Sequence, residues 1–296
     1  MNRSGGVDPL EPLAALGVEG VTEVQPVSGG LDTLIWRVVT LDGVYALRLF
    51  RPDQRDQCSN EVRAMRTVGT LGMPVPEVTA HGMWGDRPAL LMEWCDGRPV
   101  LDEALAHPEL SEPLGVSMGR MQARMHALSV PREFWEDHRS WLNLAGPDET
   151  ELRDRLRESG LHDGHPLHLD FHPRNVLCVG REATVVLDWA NVTVGDPRAD
   201  VARTLSIFRL LSWPEINPVR TKLARAWMDG YRQEPEAGWP VAGSLQDMEL
   251  FEIWAGVVFI RDMEQHIGKP DFWMERADFD RVREYVASLK RRAGLR

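Results

Sequence analysis

The 296-residue sequence predicts an α+β protein in two parts: a small antiparallel-sheet part at the amino terminus and a larger, mostly helical part after it. Three observations predict this division. Short β-rich runs separated by hairpin signals crowd residues 21–50, helical spacing dominates after residue 100, and the polar, turn-forming run CDGRP lies between them. The expected organisation is therefore 1–94, a linker at 95–99, and 100–296.

Residues 8–17 read as a short helix, with Asp8 as its cap and Pro9 in the first turn, where a missing N–H costs nothing. VTEVQPV (21–27), LIWRVVT (34–40) and VYALRLF (44–50) follow as three antiparallel strands joined by Ser28-Gly29-Gly30 and Asp42-Gly43. From Gln57 to Leu71 the apolar residues Val62, Met65, Val68 and Leu71 recur at helical intervals, and GMPVPEV ends the run. ALLMEW (89–94) is a further strand. Helices are expected at 100–106, 112–128, 198–210, 214–232, 246–267 and 276–292. Among them VLCV (176–179) and TVVLDW (184–189) flank Gly180-Arg181 as a small hairpin.

Composition excludes several classes of function. With 34 basic against 45 acidic side chains and a net charge of −11, the chain lacks the basic stripe that nucleic-acid binding needs. Its only lysines are Lys222, Lys269 and Lys290, so no lysine chemistry can originate earlier in the chain. Cys58, Cys95 and Cys178 form no CxxC pair, which argues against a disulfide framework or thiolate zinc and for a reducing cytosol. The start has no signal-peptide core, and the most apolar run, Trp254 to Ile260, is far too short for a membrane span. A cytoplasmic monomer or homodimer is expected, with neither nucleic acid nor membrane as partner.

The segment richest in chemistry is HLDFHPRNVLCV (168–179), followed by VVLDWANVTVGDPRADVA (185–202). A hairpin returns its second strand beside the first, so Asp188 is expected near Asn175, with Asp170 one loop turn away. Three oxygen-bearing side chains then converge. Such a set suits Mg²⁺, a hard cation that takes a carboxylate or two and completes its shell with water and phosphate oxygens. Asp170 is placed to accept a proton from an incoming hydroxyl. The alternative is that D-x-x-x-x-N is a chance spacing and Asp188 a helix cap.

His168-Leu169-Asp170 with Asn175, Leu187-Asp188-Trp189, and Gly195-Asp196-Pro197 with Asp200 resemble the kinase-like small-molecule phosphotransferases, the aminoglycoside phosphotransferase and choline kinase group. The resemblance implies a protein-kinase-like two-lobed fold, with a small antiparallel-sheet N-lobe and a larger helical C-lobe, and an ATP-dependent activity. It implies Asp170 as the catalytic base and Asn175 and Asp188 as holders of magnesium on the phosphates. Asp196 and Asp200 resemble residues that support the catalytic loop; His172-Pro173 would stiffen it, and His168 reads as a hydrogen-bonded structural histidine. His126 reads as core or cap.

In the N-lobe the resemblance makes Ser28, Gly29 and Gly30 a phosphate cover, although a Gly-Gly hairpin is commonly only a turn. It places Arg48 where kinases carry a lysine, with Glu61 as its partner. Arginine keeps its charge and binds phosphate, but is longer and planar, so it is not a silent replacement. An exposed strand arginine and a solvated glutamate are the alternative. ALLMEW resembles the hinge: the Glu93 carbonyl and Cys95 N–H would meet the adenine edge, and Met92 would line the pocket.

The acceptor is weakly constrained. Glu252, Trp254 and Asp262 could face a cationic, hydroxylated small molecule, or Phe251, Trp254 and Val258 could simply be a packing stripe. The expected activity is transfer of phosphate from ATP, with GTP as the alternative, to an aminoglycoside-like antibiotic. A metabolite such as an amino alcohol, homoserine or sugar, and a non-catalytic nucleotide-binding module, are the alternatives. Between Asp188 and Gly195 there is too little chain for a regulated activation loop, which argues against a protein kinase.

Overall fold

The computed structural model describes residues 6–27, 33–131, 141–210, 218–234, 248–269, 272 and 274–295. By internal contacts the chain divides into two compact units, Met1–Gly97 with Val185–Val192, and Arg98–Thr184 with Thr193–Arg296.

The first unit is built on a five-stranded antiparallel sheet. α1 (Leu10–Ala15) begins where the Asp8 carboxylate accepts the Leu10 N–H at 3.0 Å. The strands are β1 (Val21–Val27), β2 (Leu34–Thr40), β3 (Val44–Leu49), β4 (Val78–Trp84) and β5 (Arg87–Glu93), in the order β1-β2-β3-β5-β4. Alternation delivers Trp36, Val38, Leu47, Leu49, Ala89 and Leu91 to one face, where they pack with Leu13 of α1. β4 has no counterpart in the sequence reading. It is an edge strand without any fully buried residue, so no apolar alternation marks it. α2 (Arg55–Thr70) buries Cys58, Glu61, Val62, Ala64, Met65 and Val68. It also gathers the segment Val185–Val192: Asn60 Nδ2 donates to the Ala190 and Val192 carbonyls at 3.1 and 3.3 Å. The Val186 N–H donates to Pro74 O at 2.9 Å.

The second unit contains α3 (Val100–Ala106), α4 (Ser111–His126), α5 (Thr150–Glu158), α6 (Pro197–Leu210), α7 (Pro218–Gln233), α8 (Met248–Glu264) and α9 (Arg276–Arg292). Residues 214–217 and 246–247, read as helical from the sequence, lie outside the described residues. α5 escaped the sequence reading because only Leu152 and Leu156 of it are buried. β7 (His165–Leu167) pairs with β10 (Thr193–Gly195), and β6 (Arg98–Pro99), β8 (Val176–Val179) and β9 (Glu182–Val186) form a three-stranded sheet. Along β9 the chain passes from the second unit to the first. α8 is apolar on nearly every side from Phe251 to Phe259, as a core helix must be, and packs with Trp141, Phe279 and Val286.

α4 and α7 approach closely enough for their backbones to touch. A Cβ at Gly119 would stand 2.0 Å from Trp227 O, and one at Gly230 2.2 Å from Val116 O. Neither contact can be relieved by moving a side chain. Gly119→Ala should therefore lower stability by about 1–3 kcal/mol, the overpacking penalty exceeding the helix-propensity gain. Urea unfolding measures this directly, and a loss below about 0.5 kcal/mol would contradict the close crossing.

Candidate active site

The loop from His168 to Asn175 connects β7 to β8 and is held in an unusual shape. Leu169 has φ 61° and Asp188 φ 63°, the two positive-φ residues other than glycine among the described residues. Such a conformation costs on the order of 1–3 kcal/mol and persists only where neighbours impose it. For Leu169 the neighbours are three side chains of α6. Asp200 accepts the Leu169 N–H at 2.5 Å, Arg203 Nε donates to Leu169 O at 3.2 Å, and Thr204 Oγ1 donates to Phe171 O at 2.9 Å. Positions 200, 203 and 204 share one helix face, so a single face of α6 serves as a template for the loop.

Asp170 follows the constrained peptide. Asn175 Nδ2 donates to its carbonyl at 3.0 Å and to its Oδ2 at 3.1 Å, and His172 Nε2 stands 3.7 Å from its Oδ1. His168, fully buried, accepts the Asp170 N–H on Nδ1 at 3.3 Å. The loop is closed by the Asn175 N–H on His172 O and the Leu101 N–H on Pro173 O, both 2.8 Å. Burial opposes the charge of Asp200. Its hydrogen bond from His126, the fields of His126 and His168, and the Gln122 carboxamide outweigh that penalty and hold the carboxyl below the ordinary range.

Asp196 is held by other partners than Asp200. It is fully buried and binds Arg198 through Nε and Nη2, the shortest contact being 2.7 Å, and accepts the His162 N–H at 2.8 Å. It braces the chain ahead of β7.

In the first unit, Arg48 of β3 meets two acids. Its Nη1 lies 2.7 and 3.0 Å from the two Glu61 oxygens, and Nη1 and Nη2 lie 3.1 and 3.2 Å from Asp188 Oδ1. Nε donates to Thr33 Oγ1 at 3.1 Å. Burial works against the guanidinium charge, but Glu61 and Asp188 more than compensate and raise its pKa. Glu61 is 1% exposed in its side chain. Burial, with Asp188 nearby, pushes its carboxyl from an ordinary 4.5 up to about 7, against the pull of Arg48 and the Trp189 N–H. Asp188 itself sits two residues beyond β9, in the left-handed conformation, ahead of a short 3-10 turn at Trp189–Asn191. Asp170 and Asn175 thus belong to the second unit and Asp188 to the first.

Ser28, Gly29 and Gly30 lie outside the described residues. Met92 pairs with Ala46 across β3 and β5, Glu93 pairs with Tyr45, and the Glu93 N–H donates to Glu77 O at 2.8 Å. Burial, then Glu93 and Asp96, push the Cys95 thiol up to about 11, so it stays a neutral thiol at physiological pH.

The acceptor residues expected from the sequence do not form one group. Trp254 is fully buried, edge-on to Trp141 at 4.9 Å, and belongs to the core, so it is not a stacking surface for a ligand. The packing-stripe reading of Phe251, Trp254 and Val258 holds. Glu252 is paired with Arg209 at 2.8 Å, and lies ten residues before Asp262 on α8, roughly 15 Å along the axis. Asp262 is the member near the loop. Burial raises its pKa, Arg203 at 2.9 Å opposes the rise, and Asp170 adds to it.

Sequence reasoning passed over Arg203, Thr204, Gln122 and Tyr231. The available signal was polarity at positions of α6 that a helix face buries, where Asp200, Arg203 and Thr204 recur at i, i+3 and i+4.

Residues 23–242 match the model of the Phosphotransferase enzyme family (APH). The mouse protein Acyl-CoA dehydrogenase family member 10 is 26% identical over 185 residues, 51% of this chain and 17% of that relative's length. Solved structures align over nearly the whole chain. One is a candidate aminoglycoside phosphotransferase from Ralstonia eutropha JMP134, 18% identical, covering 95% of each chain at TM-score 0.67. Amicoumacin kinase hAmiN, in complex with AMP-PNP, Ca²⁺ and Ami, is 15% identical over 97% of this chain and 94% of its own, at TM-score 0.66. A thermostable mutant of aminoglycoside phosphotransferase APH(4)-Ia, in ternary complex with ADP and hygromycin B, is 16% identical over 96% and 98%, at TM-score 0.63. At these identities the likeness is one of fold, and the fold is the two-lobed kinase-like one expected from the sequence.

The Arg48 cluster yields a test of its own. Removing the cation leaves the buried Glu61 carboxylate without its partner, beside Asp188, whose side chain is 37% exposed, so Arg48→Met should cost about 3 kcal/mol at neutral pH, the low end for a broken buried pair. Glu61 has a folded-state pKa above its unfolded value, so the folded state takes up its proton first as pH falls; without Arg48 that lift is larger. The variant should therefore recover stability relative to wild type from roughly pH 8 down to pH 5. Denaturant unfolding across that range checks the sign, and a difference independent of pH would refute it.

Proposed function

Because the chain belongs to the phosphotransferase enzyme family, we propose that it transfers the γ-phosphate of ATP, with GTP as second choice, to a hydroxyl of a small molecule, with Mg²⁺ as cofactor. The observation that carries this reading is the geometry at Asp170. Asn175 fixes Oδ2, and the braced Leu169 peptide fixes the backbone, so Oδ1 is presented as the oxygen on which an acceptor hydroxyl would orient. Asp170 then takes the proton as the hydroxyl attacks. Phosphoryl transfer runs through a loose transition state, so alignment contributes more than deprotonation. The nucleotide and small-molecule ligands of the kinases of like fold support the reading.

Each proposed magnesium donor is of a kind the ion takes: Asn175 of the second unit turns its Nδ2 to Asp170, which leaves its carbonyl oxygen for a cation, and Asp188 of the first unit is a carboxylate. A bound magnesium ion would neutralise charge on the phosphate oxygens. Arg48 would face the same phosphates, with Glu61 holding it in place. The Glu93 carbonyl and Cys95 N–H would meet the adenine edge at a hinge spanning 95–99, and residues 28–30 would cover the triphosphate. The acceptor class proposed is an aminoglycoside-like one, with a neutral metabolite as the alternative; Asp262 does not decide between them, because Arg203 at 2.9 Å already answers its charge. The proposed setting is the cytoplasm; among the described residues no helix is long and apolar enough to cross a membrane.

A second reading, a nucleotide-binding module without turnover, is favoured by one observation: Arg48 already spends most of its N–H groups on Thr33, Glu61 and Asp188. ADP release across a panel of hydroxylated acceptors, together with thermal shift by Mg-ATP, separates the two. Asp170→Ala should lower kcat by about 10²–10⁴ while nucleotide affinity stays within about twofold of wild type. Turnover retained within about tenfold would remove Asp170 from the role of base.

A further inference from the structure

Behind Asp200 lies a chain of buried polar side chains that the reaction described above does not use. His126, at the end of α4, places Nε2 3.0 Å from Asp200 Oδ2 and Nδ1 2.7 Å from the Tyr231 hydroxyl of α7. Gln122, one turn earlier, donates to Asp200 Oδ2 at 2.9 Å and to Thr204 Oγ1 at 3.1 Å, and its Oε1 accepts the Trp227 Nε1–H at 2.9 Å. Asp200, Gln122, His126, Tyr231 and Trp227 are all at most 1% exposed. The pairs 122/126 and 227/231 repeat at i, i+4, so two facing helix stripes meet on one carboxylate.

The direction of the hydrogen bonds follows from their chemistry. Asp200 is held ionised and can only accept, so His126 Nε2 carries a proton. Burial beside Asp200 keeps the Tyr231 phenol protonated, and its hydroxyl shares a hydrogen bond with Nδ1. The backbone atoms that these side chains and Thr204 bond, the Leu169 N–H and Phe171 O, both lie in the loop that carries Asp170. A polar chain buried this deeply is costly unless every member is satisfied, and its output is confined to that loop.

We propose that His126 and Tyr231 are positioning residues for phosphoryl transfer, the series Tyr231, His126, Asp200 setting the left-handed Leu169 peptide and through it the carboxylate of Asp170. The inference rests on reading Asp170 as the base. Neither residue touches the reacting atoms. Their effect is on alignment, and it should appear in kcat and in the exposure of the Leu169 amide rather than in nucleotide affinity.

The test uses the full-length chain with Tyr231→Phe, His126→Leu and His126→Gln. Tyr231→Phe removes one hydroxyl from the relay and should lower kcat about 5- to 20-fold, with KM for ATP within about twofold of wild type. His126→Leu should lose more, and His126→Gln should restore much of that loss, because its carboxamide N–H reaches toward Asp200 as Nε2 does. Hydrogen exchange of the Leu169 amide should accelerate in step with the loss of kcat. Tyr231→Phe retaining kcat within about twofold, His126→Gln no better than His126→Leu, or unchanged Leu169 exchange would each overturn the relay. Where His126→Leu does not fold, Tyr231→Phe and His126→Gln decide. Wild-type protein that transfers phosphate to no acceptor sinks the phosphotransferase reading instead, and Leu169 exchange in Tyr231→Phe then decides the relay alone.

Discussion

A buried, ionised carboxylate is the constraint around which the larger unit is arranged. Asp200 has no solvent, so its charge must be met by donors brought from elsewhere in the chain. Two come from α4 and one from the backbone of the loop beyond β7. Helix and loop are thereby tied to α6 at the same point. The energetic logic is reciprocal: the carboxylate needs the Leu169 N–H, and Leu169 needs the carboxylate to remain in a conformation that leucine otherwise avoids.

The smaller unit has the opposite arrangement, one cation serving two acids. A lysine ammonium at position 48 would be a compact point charge, whereas the planar guanidinium spans Glu61 and Asp188 together. That bridge holds the left-handed Asp188 against α2, aided by Asn60 and by the Trp189 indole on Val186 O at 3.0 Å. The same residue that would contact phosphate therefore also shapes a candidate metal ligand, so the two duties compete for its N–H groups.

Much of this was legible in the sequence, and for identifiable reasons. β1 and β2 match the runs read from alternation and turn chemistry residue for residue, because both are bounded by turn-forming residues and carry β-branched side chains. The pairings of Asn175 with Asp170 and of Arg48 with Glu61 were legible because they are local or run between adjacent elements. What escaped depends on distance along the chain. β7 and β10 are three residues each and pair across 25 residues of intervening chain, which leaves no local pattern. Arg203 and Tyr231 read as ordinary helix residues until α6 is packed on α8 and α7 on α4. Trp254 shows the converse failure: an aromatic on a helix with acids nearby carries the same letters whether it faces a ligand or the core.

The glycine crossing of α4 and α7 sets a limit on how this chain can vary. Because backbone rests on backbone at Gly119 and Gly230, the two helices share a single workable register. Inserting or deleting one residue between Gly119 and His126 would rotate everything beyond it by about 100° and carry the imidazole off the face that meets Asp200. Length changes among related chains should thus be absent from that stretch and collect in the connections outside it, leaving α4 to drift in composition but never in phase.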